Sequence, residues 1–338
     1  MRQPLRVGII GGGFGARVVA PAFAAAENCR VVDVVSARDE TAIRALCRRA
    51  DVDLVGVHSP PFLHRTHVGY VLDAGHAVLC EKPFGCNAED ATAMLTDAES
   101  AGVVHLVDFE FRYDPMRVLL RELVADDALG PIEHVSWTHL SARSRVPLRT
   151  HGWLFERRSG GGWIGAWGSH AVDTLRWLLG AELTVLASNP RIDVTQRPDA
   201  TGRSQPCDAE DGFSALLSST SGTTVTIDSS FAATASLVPR LVVTTSRAVV
   251  EVTADARITV RHSNREREEH ARTTAEQGVD PHHEPIRQFV DIACAAVRDG
   301  LAPTGAPTFV DGLACAVILD DLRWRSARLE PRKRQASR

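Results

Sequence analysis

Leu5-Arg6-Val7-Gly8-Ile9-Ile10-Gly11-Gly12-Gly13-Phe14-Gly15-Ala16 decides the reading of this 338-residue chain. The apolar run 5–10 has the length and texture of a buried strand. It stops at glycines, and residues 14–26 then take up helical spacing. Gly11, Gly13 and Ala16 therefore form G-x-G-x-x-A between a strand and a helix, the context this weak pattern needs before it signals a dinucleotide. Gly11 permits the tight turn, Gly13 lets the backbone approach a pyrophosphate, and small Ala16 lets the helix pack on the sheet. The helix amino terminus, with Phe14 and Gly15 in its first turn, offers unpaired N–H groups to the phosphates. The structural alternative is a glycine-rich turn without a ligand.

Working outward, strands are expected at 30–35, 53–57, 77–80 and 103–107, with helices at 41–49, 64–74 and 88–101 between them. Strict alternation of strand and helix means a parallel sheet covered on both faces. From about Pro131 the texture changes. Strands are expected at 132–140, 183–192, 213–218, 223–231, 237–245, 248–253 and 257–261, several joined by short turns such as Ser221-Gly222. Tight connections between successive strands imply an antiparallel sheet, one face of which another subunit can cover. Helices are expected at 167–179, 283–298 and 309–324, and the polar stretch 197–206 reads as a loop. The fold class is α/β: a Rossmann domain over 1–112 and an α/β domain with a large, mainly antiparallel open sheet over 113–330. A helix at about 308–325 is expected to pack back on the first domain, and 331–338 form a basic tail.

Composition narrows the class. At 44% hydrophobic and 24% charged residues the chain is globular, and its net charge of -4 is not gathered into a basic face, which argues against nucleic acid. No run approaches a membrane span. The first apolar stretch runs into glycines instead of a signal-peptide cleavage site, so a cytoplasmic protein is expected. The seven cysteines have irregular spacing and no C-x-x-C pair, as befits reduced thiols.

Two positions speak to chemistry. An NAD site usually carries an acid at the end of the second strand, but here that end reads Val35-Ser36-Ala37-Arg38. A hydroxyl and a guanidinium suit the 2'-phosphate of NADP, so NADP is favoured and NAD is the alternative. Asp33 is the counter-candidate, although it falls inside the strand. Lys82 is conspicuous because lysine is nearly absent: of 38 basic side chains only Lys82 and Lys333 are lysines. It follows the fourth strand, between Glu81 and Pro83, where a lysine can carry protons that an arginine cannot release.

The glycine loop, Ser59-Pro60-Pro61-Phe62-Leu63-His64, Glu81-Lys82-Pro83, and Gly160-Gly161-Gly162 followed by Gly168-Ser169-His170-Ala171-Val172-Asp173 together resemble the Gfo/Idh/MocA oxidoreductases. The resemblance spans nearly the whole chain. It implies a Rossmann domain and a second α/β domain whose sheet builds dimers or tetramers. Ser59, Pro60 and His64 would lie along the cofactor together with Glu81, Lys82 would lie beside nicotinamide and substrate, and His170 would face it from the second domain. Two departures stand out. Dehydrogenases of the family carry Asp four residues before the histidine, where this chain has Ala166, and the stretch between Arg38 and Asp51 has room for only one short helix. His151 is one candidate to replace the missing acid.

The expected activity is thus interconversion of a secondary alcohol and a ketone or aldehyde on a sugar, cyclitol or polyol derivative, with Lys82 and His170 handling the proton. A nicotinamide-dependent glycosidase of the same fold and a non-catalytic dinucleotide sensor are the alternatives. Arg112, His151, Trp153, Trp167 and Asp173 are candidate substrate-side residues. Asp173 is placed either to orient His170 or to act as a structural cap, and the alternative for Arg112 is a salt bridge at the domain junction. The tryptophans, with Trp163, are suited to the C–H faces of a sugar or equally to the core. His282-His283-Glu284 lacks the spacing of a metal site and reads as a helix start, so no metal is expected.

Overall fold

The computed structural model describes residues 3–264, 266–272 and 280–324. The basic tail 331–338, with Lys333, lies outside them. In the first domain five strands, β1 (Leu5–Ile10), β2 (Cys29–Val35), β3 (Leu54–Val57), β4 (Ala77–Cys80) and β5 (His105–Val107), form a parallel sheet in the order β2-β1-β3-β4-β5. β3 and β4 are apolar and buried along their whole length, and β1 is so except at Arg6, because both faces are covered, as a doubly wound sheet requires. The covering helices are α1 (Ala20–Ala25), α2 (Glu40–Cys47), α3 (Pro61–Asp73) and α4 (Ala88–Ala101). Their ends follow local chemistry. Asp39 caps α2 by accepting from the Ala42 N–H at 3.0 Å, Asn87 caps α4 by accepting from the Asp90 N–H, and Gly102 ends α4 in the left-handed region. The helix expected at 14–26 is divided: a π-helical turn, Gly15–Val19, precedes α1. α2 alone joins β2 to β3, leaving β2 as the sheet's edge.

Beyond β5 the chain makes a 3-10 turn, Glu110–Tyr113, and enters α5 (Pro115–Val124), capped by Asp114. The second sheet is built from β6 (Ile132–Leu140), β7 (Leu183–Arg191), β10 (Gly212–Ser219), β11 (Thr224–Ser230), β12 (Arg240–Thr245), β13 (Ala248–Thr253), β14 (Arg257–His262) and β15 (Arg267–Ala271). Its order is β15-β14-β13-β12-β6-β11-β10-β7, antiparallel throughout except for the parallel pair β6 and β11. The loop expected at 197–206 instead contains a two-stranded ribbon, β8 (Gln196–Pro198) with β9 (Ser204–Pro206). Polar composition hid it: Asp199 turns the chain by accepting from the Thr201 and Arg203 N–H groups, and buried Arg197 bonds the Ser144 carbonyl.

Helices α6 (Ser169–Leu179), α7 (His283–Asp299) and α8 (Phe309–Trp324) follow among the described residues. α8 bridges the domains. The Val107 N–H donates to the Pro307 carbonyl just ahead of it, Asp320 accepts from the Ala88 N–H, and Phe309 packs on Phe84 with ring centroids 4.4 Å apart. One hydrophobic cluster runs from Ile10 and Val57 through Phe84 and Phe309 to Trp167 and Val250, so the two sheets share a core. All seven cysteines are free thiols, five of them buried.

Candidate active site

The strand order reverses between β1 and β3, and in such sheets the crevice beyond the strands' carboxyl ends holds the ligand. A cavity of about 540 Å³ lies there. Its floor is Gly11, Gly12, Gly13 and Phe14 after β1. Ser36, Ala37 and Arg38 follow from β2, His58, Ser59, Pro60 and Pro61 from β3, and Glu81, Lys82 and Pro83 from β4. Gly11 has φ +142°, and a Cβ there would strike the His58 carbonyl. At Gly12 and Gly13 an added Cβ would meet nothing within 4 Å, so the loop leaves open a cradle of the kind a pyrophosphate occupies. The residues present therefore fit a dinucleotide.

Not every residue expected along the cofactor reaches this cavity. Gly15 and Ala16 do not line it. Gly15 is small because a Cβ would come within 2.8 Å of the His58 Cβ. His64 is fully buried beneath the loop, where its Nε2–H donates to the Ser59 carbonyl at 2.7 Å, and burial pushes its pKa down to about 4. It props the cavity wall and does not form it. Asp33 is exposed and 3.7 Å from Arg49, outside the cavity, while Glu40 pairs with Arg44. No acid from β2 or the turn after it faces the cavity among the described residues. Ser36 Oγ accepts from the Arg38 N–H at 3.2 Å, and the Arg38 guanidinium makes no ion pair within the described chain.

A second cavity, of about 600 Å³, opens on the other side of Lys82. Phe111, Arg117, His139, Trp163, Trp167, His170, Arg272 and His282 are among its walls, and it shares Lys82, Ala166 and His282 with the first. Trp163 and Trp167 stack with centroids 6.0 Å apart, and Trp163 stacks on Phe231 at 4.4 Å, giving a flat aromatic wall. Trp153 lines the first cavity instead. Lys82 is held at the junction, its Nζ donating to the Ala166 carbonyl at 3.1 Å. That carbonyl belongs to a second π-helical turn, Ile164–Gly168, which leads into α6 and aims His170 at the same space. Gly162, just before it, has φ +106° and lies against the buried Glu210 carboxylate, where a Cβ would collide.

Charge is dense beneath the junction. Glu81 lies 3.8 Å from the Lys82 ammonium and accepts from His58 Nδ1 at 3.2 Å. Burial raises the Glu81 pKa, but the His58 hydrogen bond and the Lys82 charge outweigh it, and the net shift is downward. Asp108 is fully buried with neither oxygen hydrogen-bonded, and burial followed by the charges of Glu110 and Glu81 holds its carboxyl well above the usual range. His58, Glu81 and Asp108 bring one donor atom each within 4.8 Å of one another, but a charged Glu81 beside Lys82 and a protonated Asp108 account for the cluster without an ion. His170 is 5% exposed and neither ring nitrogen has a hydrogen-bond partner among the described residues, the Glu110 carboxylate being 3.9 Å away. Burial, then the charges of Lys82, His282 and Arg117, drives its pKa well down, so the ring is neutral.

Several substrate-side expectations are corrected. Arg112 and Asp173 line neither cavity, because they pair with each other: Nε and Nη2 of Arg112 donate to the Asp173 carboxylate at 2.9 and 2.6 Å, and Nη2 also reaches Asp311 at 2.8 Å. This buried junction leaves Asp173 unable to orient His170. His151 is likewise turned away, its Nε2–H donating to the Pro206 carbonyl at 3.1 Å. His282 starts α7 without capping it, and its ring enters the cleft instead. His58, Asp108, Glu110 and Arg117 escaped the sequence reading, although Asp108-Phe109-Glu110 directly follows a parallel strand, where functional side chains collect.

Fold and site together define a two-domain dinucleotide-binding α/β protein. Residues 5–109 match the oxidoreductase family with the NAD-binding Rossmann fold, and residues 118–251 match the GFO/IDH/MocA C-terminal domain. The chain belongs to the Gfo/Idh/MocA oxidoreductase family. It is 31% identical over 233 residues to the uncharacterized oxidoreductase sll0816 of Synechocystis sp., covering 64% of this chain and 62% of that one. It is 29% identical over 202 residues to levoglucosan dehydrogenase of Pseudarthrobacter phenanthrenivorans, covering 53% and 52%. Those matches thus span less than two thirds of either relative. Levoglucosan dehydrogenase solved in complex with NADH and L-sorbose superposes with a TM-score of 0.84 at 20% identity, over 96% of this chain and 97% of that one, and so shares the fold.

Proposed function

We propose that the protein is an oxidoreductase, NADP-preferring, that interconverts a secondary alcohol and a ketone or aldehyde on a sugar, cyclitol or polyol derivative. The observation that carries this reading is the meeting of the two cavities at Lys82. On one side lies the open glycine cradle. On the other lie a flat tryptophan wall suited to sugar C–H faces and the neutral ring of His170. Gly12, Gly13, Ser36, Arg38, Ser59 and Pro60 would hold the dinucleotide, whose nicotinamide supplies hydride exchange with a substrate carbon. Lys82, its direction fixed by the Ala166 carbonyl, donates a hydrogen bond to the reacting oxygen, and neutral His170 bonds that oxygen or its neighbour. Ser36 and Arg38, with no acid from β2 beside them, support NADP over NAD.

The outer face of the second sheet, where Leu186 and Leu216 stand exposed, is the surface through which we expect a dimer or tetramer to form. The decisive experiment is dinucleotide turnover across sugars, sugar acids and cyclitols with NADP and NAD in parallel, for the wild type and Lys82→Ala. Turnover with NADP that disappears in the variant supports the reading. Binding of dinucleotide without turnover of any alcohol or carbonyl compound overturns it.

A further inference from the structure

Lys82 and His170 both stand by the reacting oxygen, but Lys82 Nζ already donates to the Ala166 carbonyl at 3.1 Å. His170 is buried with neither ring nitrogen hydrogen-bonded among the described residues, and burial, then the charges of Lys82, His282 and Arg117, disfavour its protonated form. Ala166 offers no carboxylate. A third group does line both cavities beside Lys82: His282, whose side chain is 30% exposed where Glu110 is 1% exposed. Its Nδ1–H donates to Glu110 Oε1 at 2.7 Å, leaving Nε2 on the opposite side of the ring with no partner among the described residues. Phe14 and Phe111 hold the ring at centroid distances of 5.2 and 5.1 Å.

Building on the reading above, we propose that His282, oriented by Glu110, is a further catalytic residue, exchanging the proton of the reacting hydroxyl in place of the carboxylate absent at Ala166. In oxidation the substrate O–H bond breaks and an N–H bond forms at His282 Nε2, while the hydride, the hydrogen with both electrons of its C–H bond, passes to the nicotinamide dinucleotide. The positive charge gained by the imidazole is balanced by Glu110 across Nδ1–H, the logic by which a buried carboxylate supports a catalytic histidine. In reduction the same proton returns to the oxygen. Glu110 is a positioning residue and does not touch substrate.

The charged and titratable groups facing His282 are Glu110 after β5, Lys82 after β4, His170 on α6, at 6.5 Å between centroids, and Asp280 in its own loop. Burial alone would lower its pKa, and Lys82 adds to that, but the hydrogen bond and charge of Glu110 outweigh both, so the net shift is upward.

The test is the pH dependence of kcat/KM for His282→Gln and Glu110→Gln in both directions, with histidine 15N titrations of the cofactor-free protein and dinucleotide binding as a check on folding. For the wild type, oxidation should rise with pH through a limb that His282 sets. His282→Gln should lose that limb and at least ~10²-fold in rate. Glu110→Gln should move the limb, and the His282 resonance, to lower pH. A limb unchanged in His282→Gln, with the wild type active, overturns this proposal alone, and a His282 titration unmoved by Glu110→Gln overturns the role of Glu110. A wild type without turnover of any alcohol or carbonyl substrate overturns the reading above and this proposal with it.

Discussion

Lys82 leaves the end of β4, crosses the cleft, and donates to the backbone carbonyl of Ala166 at 3.1 Å. The acceptor is backbone, so the contact is removed most directly by a change at residue 82. Lys82→Met, which keeps the stem's bulk, is expected to lower kcat/KM by ~10²–10⁴-fold while dinucleotide still binds, as read by tryptophan quenching.

If His282 does the work of the absent carboxylate, Ala166→Asp should rescue His282→Gln. The new side chain starts on the wall shared by both cavities. Partial recovery of at least ~10-fold in kcat/KM is expected, within the range of general acid–base effects. No recovery would mean that a carboxylate at residue 166 does not reach the reacting oxygen.

The proposed NADP preference rests on the turn after β2. Ser36→Asp with Arg38→Ala replaces the proposed phosphate-binding pair with an acid, and charge-assisted hydrogen bonds contribute about 1.5–3 kcal/mol each. The ratio of kcat/KM for NADP over NAD should fall at least ~10-fold. An unchanged ratio places the determinant elsewhere.

Arg112 binds Asp173 where almost no solvent reaches, and also the partly exposed Asp311, so losing the cation strands the buried Asp173 carboxylate. Arg112→Met should cost ~3–5 kcal/mol in urea unfolding, and Arg112→Met with Asp173→Leu should regain most of it. KM for the eventual substrate should not move in the folded fraction, because the pair lines neither cavity.

His64 gives a stability slope in acid. Its folded pKa of about 4 lies below the ordinary 6.5, so between these values the unfolded chain takes up a proton that the native protein refuses. The contribution is fully present above pH ~6.5 and is lost as pH falls toward 4, to a total of ~3 kcal/mol. His64→Gln, which keeps a donor for the Ser59 carbonyl, should flatten the urea midpoint between pH 7.5 and 4.5, leaving the slope of the same sign that His170 supplies.

The first domain was legible because its determinants are local. An apolar run, a glycine turn and a capped helix follow each other within about thirty residues, and β1, β4, α4 and α8 fall where periodicity places them. Lys82 and His170 stood out by rarity and motif. What stayed hidden depends on distance in sequence. Glu110 and His282 are 172 residues apart, and Asp280-Pro281-His282 indicates a capped helix start near the cleft but not that its imidazole pairs with Glu110 instead of capping. Arg112 and Asp173 were both noticed as substrate-side candidates, with a salt bridge at the domain junction the alternative for Arg112, but neither was matched to the other, because periodicity shows which face a residue takes and not what stands opposite. The ribbon β8–β9 was missed for a third reason: its pairing rests on buried Arg197, a residue type that reads as surface.

The bridging position of α8 bears on how the chain matures. A ribosome delivers the parallel sheet first, with Val107 at its edge and Phe84 bare. The Pro307 carbonyl, Phe309 and Asp320, which engage β5, Phe84 and the start of α4, arrive about two hundred residues later. The nascent Rossmann domain must hold an uncovered apolar flank until α8 has been made, so a helix that emerges about two hundred residues later closes it.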